Sequence, residues 1–424
     1  MKKLLSLIFC IVATLTSHAQ AGYDFSATNS NGYTLYYKIL DPIRKRVEIV
    51  NAPGAMAMWG GYSFNGPFDV PATVENSGVT YNVVSIDVFF MLGGGHGSIT
   101  ELTLHEGLET IGYATFWQFP IGNSELVIPS TVTSLGGSFY QPFWTASSLT
   151  VRFLNPIPTQ DGGPCFMTSG GYGDPRRPKN LKIIVPVDVT YAYSNTTYVG
   201  GAGGYSWSSY ADYYREEVHI GATGYTSYYL ENENFLVPAG CTAYIITGIN
   251  PSGSKATPDE AVVKAFGAGK IIPKQTGFIL QGTANSTVVY QANVTGTEEN
   301  VSNNLLIGTA TEQEFNTSGY KYYILSNSGD QGLGFYKQGI RNGASIKLQP
   351  HRAGLRLAEA VAPAKGFTID FDAARKEAET TGIRDVRPSV QPREEDVIFD
   401  LQGRRVTNPG RGIYIVNGKK VVRE

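Results

Sequence analysis

Leu102-Thr103-Leu104-His105, Leu126-Val127-Ile128-Pro129 and Val151-Arg152-Phe153-Leu154 follow one another at intervals of 24 and 25 residues. Ile183-Ile184-Val185-Pro186 continues the series after 32 residues, and Phe68-Asp69-Val70-Pro71 precedes it by 34. Each reads as a short strand whose outer two apolar residues face one side and whose middle residue faces the other. A second apolar beat follows each strand: Val83-x-x-Ile86, Leu108-x-x-Ile111 and Val132-x-x-Leu135, again 25 and 24 residues apart. Behind it comes an aromatic: Phe90, Phe116, then Phe139 or Tyr140. One such unit leaves its apolar edge bare, whereas stacked units bury all the edges in a continuous column. A β-sandwich with evenly spaced strands is the alternative. Two separate beats that hold one register over three units favour the solenoid.

The residues that carry these beats resemble a known family. Leu108-Glu-Thr-Ile-Gly-Tyr-Ala-Thr-Phe116 and Leu126-Val-Ile-Pro-Ser-Thr-Val-Thr-Ser-Leu135 are similar to the BspA-like leucine-rich repeats of bacterial surface proteins. The lead-in strands Tyr33–Ile39, Val47–Ile49 and Gly78–Ile86 resemble the strands that open such proteins, and Ile183 through Ile220 resembles their closing cap. The resemblance covers residues 23–220. It departs from the family in its few repeats and in long inserts at Gly93–Gly97 and Gly162–Lys179. It implies a leucine-rich-repeat solenoid; with the strand and turn patterns of the second half, the chain reads as mostly β: the solenoid, then a β-rich domain and a C-terminal β-hairpin unit. The resemblance also implies adhesion to host or neighbouring-cell molecules.

A stacked solenoid would align its middle residues Asp69, Thr103, Val127, Arg152 and Ile184 as an exposed ladder, flanked by Glu101, Glu125, Thr150 and Lys182. Glu101, Thr103, Glu125, Val127 and Arg152 are the expected partner-binding residues, because they mix apolar centres with polar rims as ordinary interfaces do, the alternative being a solvated face with binding by the inserts or the β-domain. The expected partner is a host or bacterial surface protein, or a glycan.

After Gly221 the pattern changes. Thr242–Thr247, Gly277–Leu280, Thr287–Tyr290 and Lys321–Leu325 read as strands between Gly/Asn/Ser turns, and helical periodicity shows only near Pro258–Phe266. Pro273-Lys-Gln-Thr-Gly-Phe-Ile-Leu280 is echoed 77 residues on by Pro350-His-Arg-Ala-Gly-Leu-Arg-Leu357, through a duplicated half-domain or by coincidence. This segment resembles a β-domain that often follows such repeats in gut and oral bacteria, one without assigned chemistry. Ala373–Thr381 reads as a short charged helix or linker. Asn417-Gly418, set between apolar alternations, predicts a two-residue hairpin turn. The tail from Val397 resembles the C-terminal sorting modules of one bacterial phylum, the alternative being a small hairpin packed on the preceding domain. The expected divisions are residues 1–19 as signal peptide, 20–220 as repeat domain, 221–378 as β-rich domain, 379–395 as linker and 396–424 as hairpin module.

Lys2 and Lys3, the apolar run Leu4–Leu15 and Ser17-His18-Ala19 form a tripartite export signal, with cleavage expected after Ala19. Phe9 stands before Cys10 where a lipoprotein signal wants a small residue. No segment approaches the 18 apolar residues of a membrane helix. The expected location is therefore the bacterial cell surface or the medium. Cys165 and Cys241 remain after cleavage and could pair or stay as buried thiols. With 34 basic and 36 acidic residues, nothing points to a nucleic-acid partner.

Enzymatic constellations are missing. The chain has no H-E-x-x-H, no Cys-x-x-Cys and no G-x-S-x-G, and Gly267-Ala-Gly-Lys270 lacks the first glycine and the Ser or Thr of a phosphate loop. Asp370-Phe-Asp372 lacks the other ligands of a calcium loop. No enzyme, metal or cofactor is expected, although paired carboxylates for glycoside hydrolysis carry no fixed spacing to look for. The aromatics Trp59, Tyr62, Trp144, Trp207, Tyr210, Tyr213 and Tyr214 fit either a thin β core or sugar stacking, the latter implying a secreted glycan-binding protein of a carbohydrate-uptake system.

Overall fold

The structure is a computed structural model that describes residues 22–381 and 398–423, apart from 56–60, 88–96, 113–114, 118, 136–138, 140–142, 144–145, 160–165, 167–177, 179, 197–206, 254–256, 258, 330–331, 363–366, 408 and 417–418. The export signal, Cys165, Phe90, Tyr140, Trp59, Trp144, most of both inserts and the linker from 382 onward lie outside the described residues. The chain is mostly β, with several sheets. It divides into two compact units. The first holds the described residues up to Val218 together with Val289–Val294, and the second holds His219–Val288 and the residues from Thr295 onward.

In the first unit the recurring segments pair in parallel. Glu125–Ile128, Ser148–Phe153, Asn180–Ile184 and Tyr214–Ile220 form successive neighbours, with Leu126 opposite Val151, Val151 opposite Ile183 and Ile183 opposite Tyr214. Phe64–Asp69 and Gly97–Thr103 pair likewise, Phe68 opposite Leu102. The parallel pairing sets apolar residues of successive segments side by side, although the segments are not evenly spaced along the chain.

The second beat forms a second parallel series. Arg46–Val50 pairs with Val79–Asp87, which pairs with Thr110–Ile111, and Thr110 bridges on to Ser134. Leu108, Ile111, Val132 and Leu135 are all buried. Between the two series runs one continuous apolar core from Phe25 to Tyr214. Phe116 and Phe139 stack inside it at 5.2 Å, and Phe139 stacks on Phe166 at 5.6 Å, a third rung that the sequence pattern did not reveal.

The second unit is built on a nine-stranded sheet. In order it runs Tyr225–Tyr228, Phe278–Gln281, Thr242–Asn250, Asp259–Phe266, Phe367–Ile369, Gly332–Tyr336, Tyr320–Gly329, Arg352–Ala358 and Leu306–Thr309. The helical expectation near Pro258–Phe266 is corrected: Asp259–Phe266 is a strand, paired along its length with Thr242–Asn250. Adjacent β-branched Val262 and Val263 and long-range pairing outweigh a short helical periodicity. Helix Phe371–Thr381 packs Phe371 and Ala374 into this unit's core. In the echoed segments Gly277 and Gly354 both lie where a Cβ would press on neighbours, at 3.0 Å from Ala353 Cβ and 2.5 Å from Ile346 Cδ1 respectively. At the C-terminus Ile398–Phe399, Gly412–Val416 and Lys419–Arg423 form a three-stranded antiparallel sheet, with Val416 opposite Lys419.

Candidate binding face

Strand alternation decides which side chains reach the surface. On Glu125–Ile128 the apolar Leu126 and Ile128 are buried, while Glu125 and Val127 face out. On Ser148–Phe153, Thr150 and Arg152 face out, and on Asn180–Ile184 Lys182 does. Register then aligns Glu125, Thr150 and Lys182 in one row and Val127 with Arg152 in the next.

Arg152 organises this face. Its Nε donates to Glu125 Oε1 at 2.9 Å, while Nη1 and Nη2 donate to the two carboxylate oxygens of Glu217 at 2.7 and 3.1 Å. The Glu217 carboxylate, more than any other group, raises the proton affinity of the Arg152 guanidinium. Glu217 lies beyond the repeat pattern, on Tyr214–Ile220, so spacing alone could not reveal it. Ile184 is corrected: expected in the exposed ladder, it is only 4% exposed. It pairs in register with Arg152, whose side chain crosses this strand to reach Glu217.

Glu101 and Thr103 are exposed on Gly97–Thr103, where Thr103 pairs with Asp69. A buried amide links this strand to the next. Asn123 Oδ1 accepts from Leu102 N at 2.7 Å, and Asn123 Nδ2 donates to Leu102 O and Glu125 O, each at 3.0 Å. Asp69 accepts from Ser30 Oγ at 3.1 Å and pairs with His105 Nε2, so the first ladder position is tied to the N-terminal turn.

The far end of the unit is closed by aromatics and by the buried carboxylate of Glu216. Trp207, Tyr210, Tyr193 and Tyr214 are almost wholly inaccessible. Trp207 Nε1 donates to Thr159 O at 3.0 Å and Tyr214 OH to Trp207 O at 2.7 Å. Trp207, Tyr210 and Tyr214 therefore serve the core; with Tyr62 also buried, these four do not offer a sugar-stacking platform. Glu216 accepts from the backbone N–H groups of Asp188, Val189 and Thr190, from Thr190 Oγ1 at 2.8 Å and from Tyr290 OH at 2.6 Å.

Among the described residues no group of three or more His, Cys, Asp or Glu side chains is placed to hold a metal ion, and no helix is long and apolar enough to cross a membrane. Cys241 is a buried free thiol whose proton affinity burial raises. The outward face thus offers charge, hydrogen bonding and the exposed side chain of Val127. Compared with protein-family models, curated proteins and solved structures, the chain matches none.

Proposed function

We propose that this chain is an exported, non-enzymatic binding protein. In this reading the first unit is a short leucine-rich-repeat solenoid of the BspA-like kind, and its outward strand face docks a macromolecule at the cell surface. The observation that carries the reading is the in-register parallel pairing of Glu125–Ile128, Ser148–Phe153 and Asn180–Ile184. Such pairing makes a broad, rigid surface, which suits proteins or long glycans better than small substrates. Val127, 37% exposed, supplies an apolar centre, and Glu125, Arg152, Thr150 and Lys182 supply a polar rim whose central cation is already held in place. Fixed side chains lose less conformational freedom on docking.

The test is a binding screen of residues 20–424 against host matrix proteins and a glycan array, followed by the double variant Glu125→Ala/Arg152→Ala on any partner found. A loss above about 1 kcal/mol in binding, with the fold retained, supports the face as the site. An affinity unchanged within about 0.5 kcal/mol removes it. Turnover of a substrate overturns the non-enzymatic reading.

A further inference from the structure

The second unit contains an open cleft of about 530 Å³, lined by residues of the Gly221–Ser227 segment, of Ile324–Asn327 and of the Lys347–Ala353 stretch. That volume falls within the range of small-molecule sites. The cationic side chains in its lining are Arg352 and Lys347, the imidazole of His219 lies among them, and the lining contains no carboxylate.

These groups are not equally available. Lys347 is answered from outside the cleft by Glu312, 2.6 Å from its Nζ, and Glu312 also accepts from Gln349 at 2.9 Å. Gln338 is spent on the Lys347 backbone, accepting from its N–H at 2.8 Å and donating to its carbonyl at 3.2 Å. Arg352 differs. Its Nη1 donates to Thr226 Oγ1 and, at 3.1 Å, to Ser227 O, both neutral acceptors, and no carboxylate lies within ion-pair distance of it among the described residues. The half-buried guanidinium therefore keeps an unbalanced charge and further N–H donors. Exposed His219 and Asn327 line the same cleft, and their side chains make no hydrogen bond among the described residues. Half-buried Ile324 and Leu333 supply apolar lining between the polar groups.

We propose that this cleft binds an acidic saccharide whose hexuronate carboxylate pairs with Arg352. A single unbalanced guanidinium calls for a single carboxylate, which its planar fork meets with two parallel hydrogen bonds. An imidazole and a primary amide, each able to donate and accept, match the hydroxyls of a sugar ring. Ile324 and Leu333 suit the C–H face of that ring. A polyphosphate would bring several charges to one unbalanced cation and fits less well. Nothing here depends on the outward face of the first unit, so either reading can fail alone.

The experiment is calorimetry on residues 20–424 with a galacturonate trimer, a neutral galactose trimer and a glutamate tripeptide. The uronate trimer is expected to bind one to one and at least about tenfold more tightly than either comparison ligand, because hydrogen bonds between charged partners are the stronger ones. Arg352→Gln is expected to weaken uronate binding at least about tenfold while neutral binding stays unchanged. Asn327→Ala, at an exposed position that leaves the melting temperature alone, is expected to weaken the uronate trimer by about threefold or more and carries the test if Arg352→Gln unfolds. Absence of binding, equal affinity for the neutral trimer or the peptide, or full affinity in both variants overturns the proposal.

Discussion

Arg152 crosses the strand Asn180–Ile184 and places two guanidinium nitrogens on the two carboxylate oxygens of Glu217, at 2.7 and 3.1 Å. Both side chains are less than a third exposed, so the pair is partly shielded from water and salt. Glu217→Ala is expected to cost about 1 kcal/mol, allowing for the remaining solvent access. A double-mutant cycle with Arg152→Ala on urea unfolding measures the coupling directly. Strictly additive losses would show that the two residues do not interact in solution.

Neighbouring positions on one strand should respond in opposite ways to the same charge. Ile128 is fully buried, whereas Val127 is 37% exposed. Ile128→Asp is expected to lose roughly 3–5 kcal/mol, because an unpaired carboxylate in the core must stay charged without water or take up a proton. Val127→Asp should stay within about 1 kcal/mol of the parent. Thermal melts of the two variants read the register, and equal melting temperatures would refute it.

Glu216 holds the turn into the helix Thr190–Asn195 by accepting three backbone N–H groups and two hydroxyls. Glu216→Gln turns one acceptor into a donor that faces donors, and a loss of about 2–4 kcal/mol is expected. Tyr290→Phe removes one of the five bonds and should cost about 1–2 kcal/mol, because it leaves a buried carboxylate oxygen less well satisfied. Denaturant unfolding orders the two, and a Gln variant as stable as the parent would remove Glu216 from this role.

Gly97 sits at φ +93°, and a Cβ there would lie 1.8 Å from the Phe64 carbonyl oxygen of its paired strand. Backbone conformation and close approach both demand glycine. Gly97→Ala is expected to destabilise by more than about 2 kcal/mol, through strain and displaced pairing. Hydrogen exchange at Phe68 and Leu102 should accelerate in the variant, and unchanged protection would count against this placement of the strand pair.

Tyr323 buries a hydroxyl that has no hydrogen-bond partner among the described residues, and burial pushes its phenol up to about 12. Tyr244 is pushed to about 12 as well, chiefly by burial. Unfolded phenols ionise near about 10, so between the two values the folded chain binds more protons and stability falls as pH rises. The contribution is complete below about 10 and gone above about 12. Tyr323→Phe should leave stability at pH 7 unchanged or up to about 1 kcal/mol higher, since an unsatisfied polar group is removed, and should flatten the alkaline decline. Melting temperatures across the alkaline range check both effects, and a large loss at pH 7 would mean the hydroxyl has a partner.

The strand segments that carry the two apolar beats, and the burial of their outer apolar residues, were legible in the sequence. A period of 24 or 25 residues and the alternation of Leu126, Val127 and Ile128 are local facts that any stacked arrangement must respect. The strands Gly412–Val416 and Lys419–Arg423 were legible for the same reason, while the expected turn at Asn417-Gly418 lies outside the described residues. Tertiary structure alone decided the rest. Glu217 and Asn123 fill no repeat position, yet one fixes Arg152 and the other joins two strands by its amide. Ile184 has an outward register but is covered, and Asp259–Phe266 became a strand through its partner. The cleft around Arg352 gathers residues more than a hundred positions apart. Periodicity reports what each segment must bury against a neighbour. It does not report which neighbour arrives, and long side chains and pairing partners from distant parts of the chain settle that only once the backbone has folded.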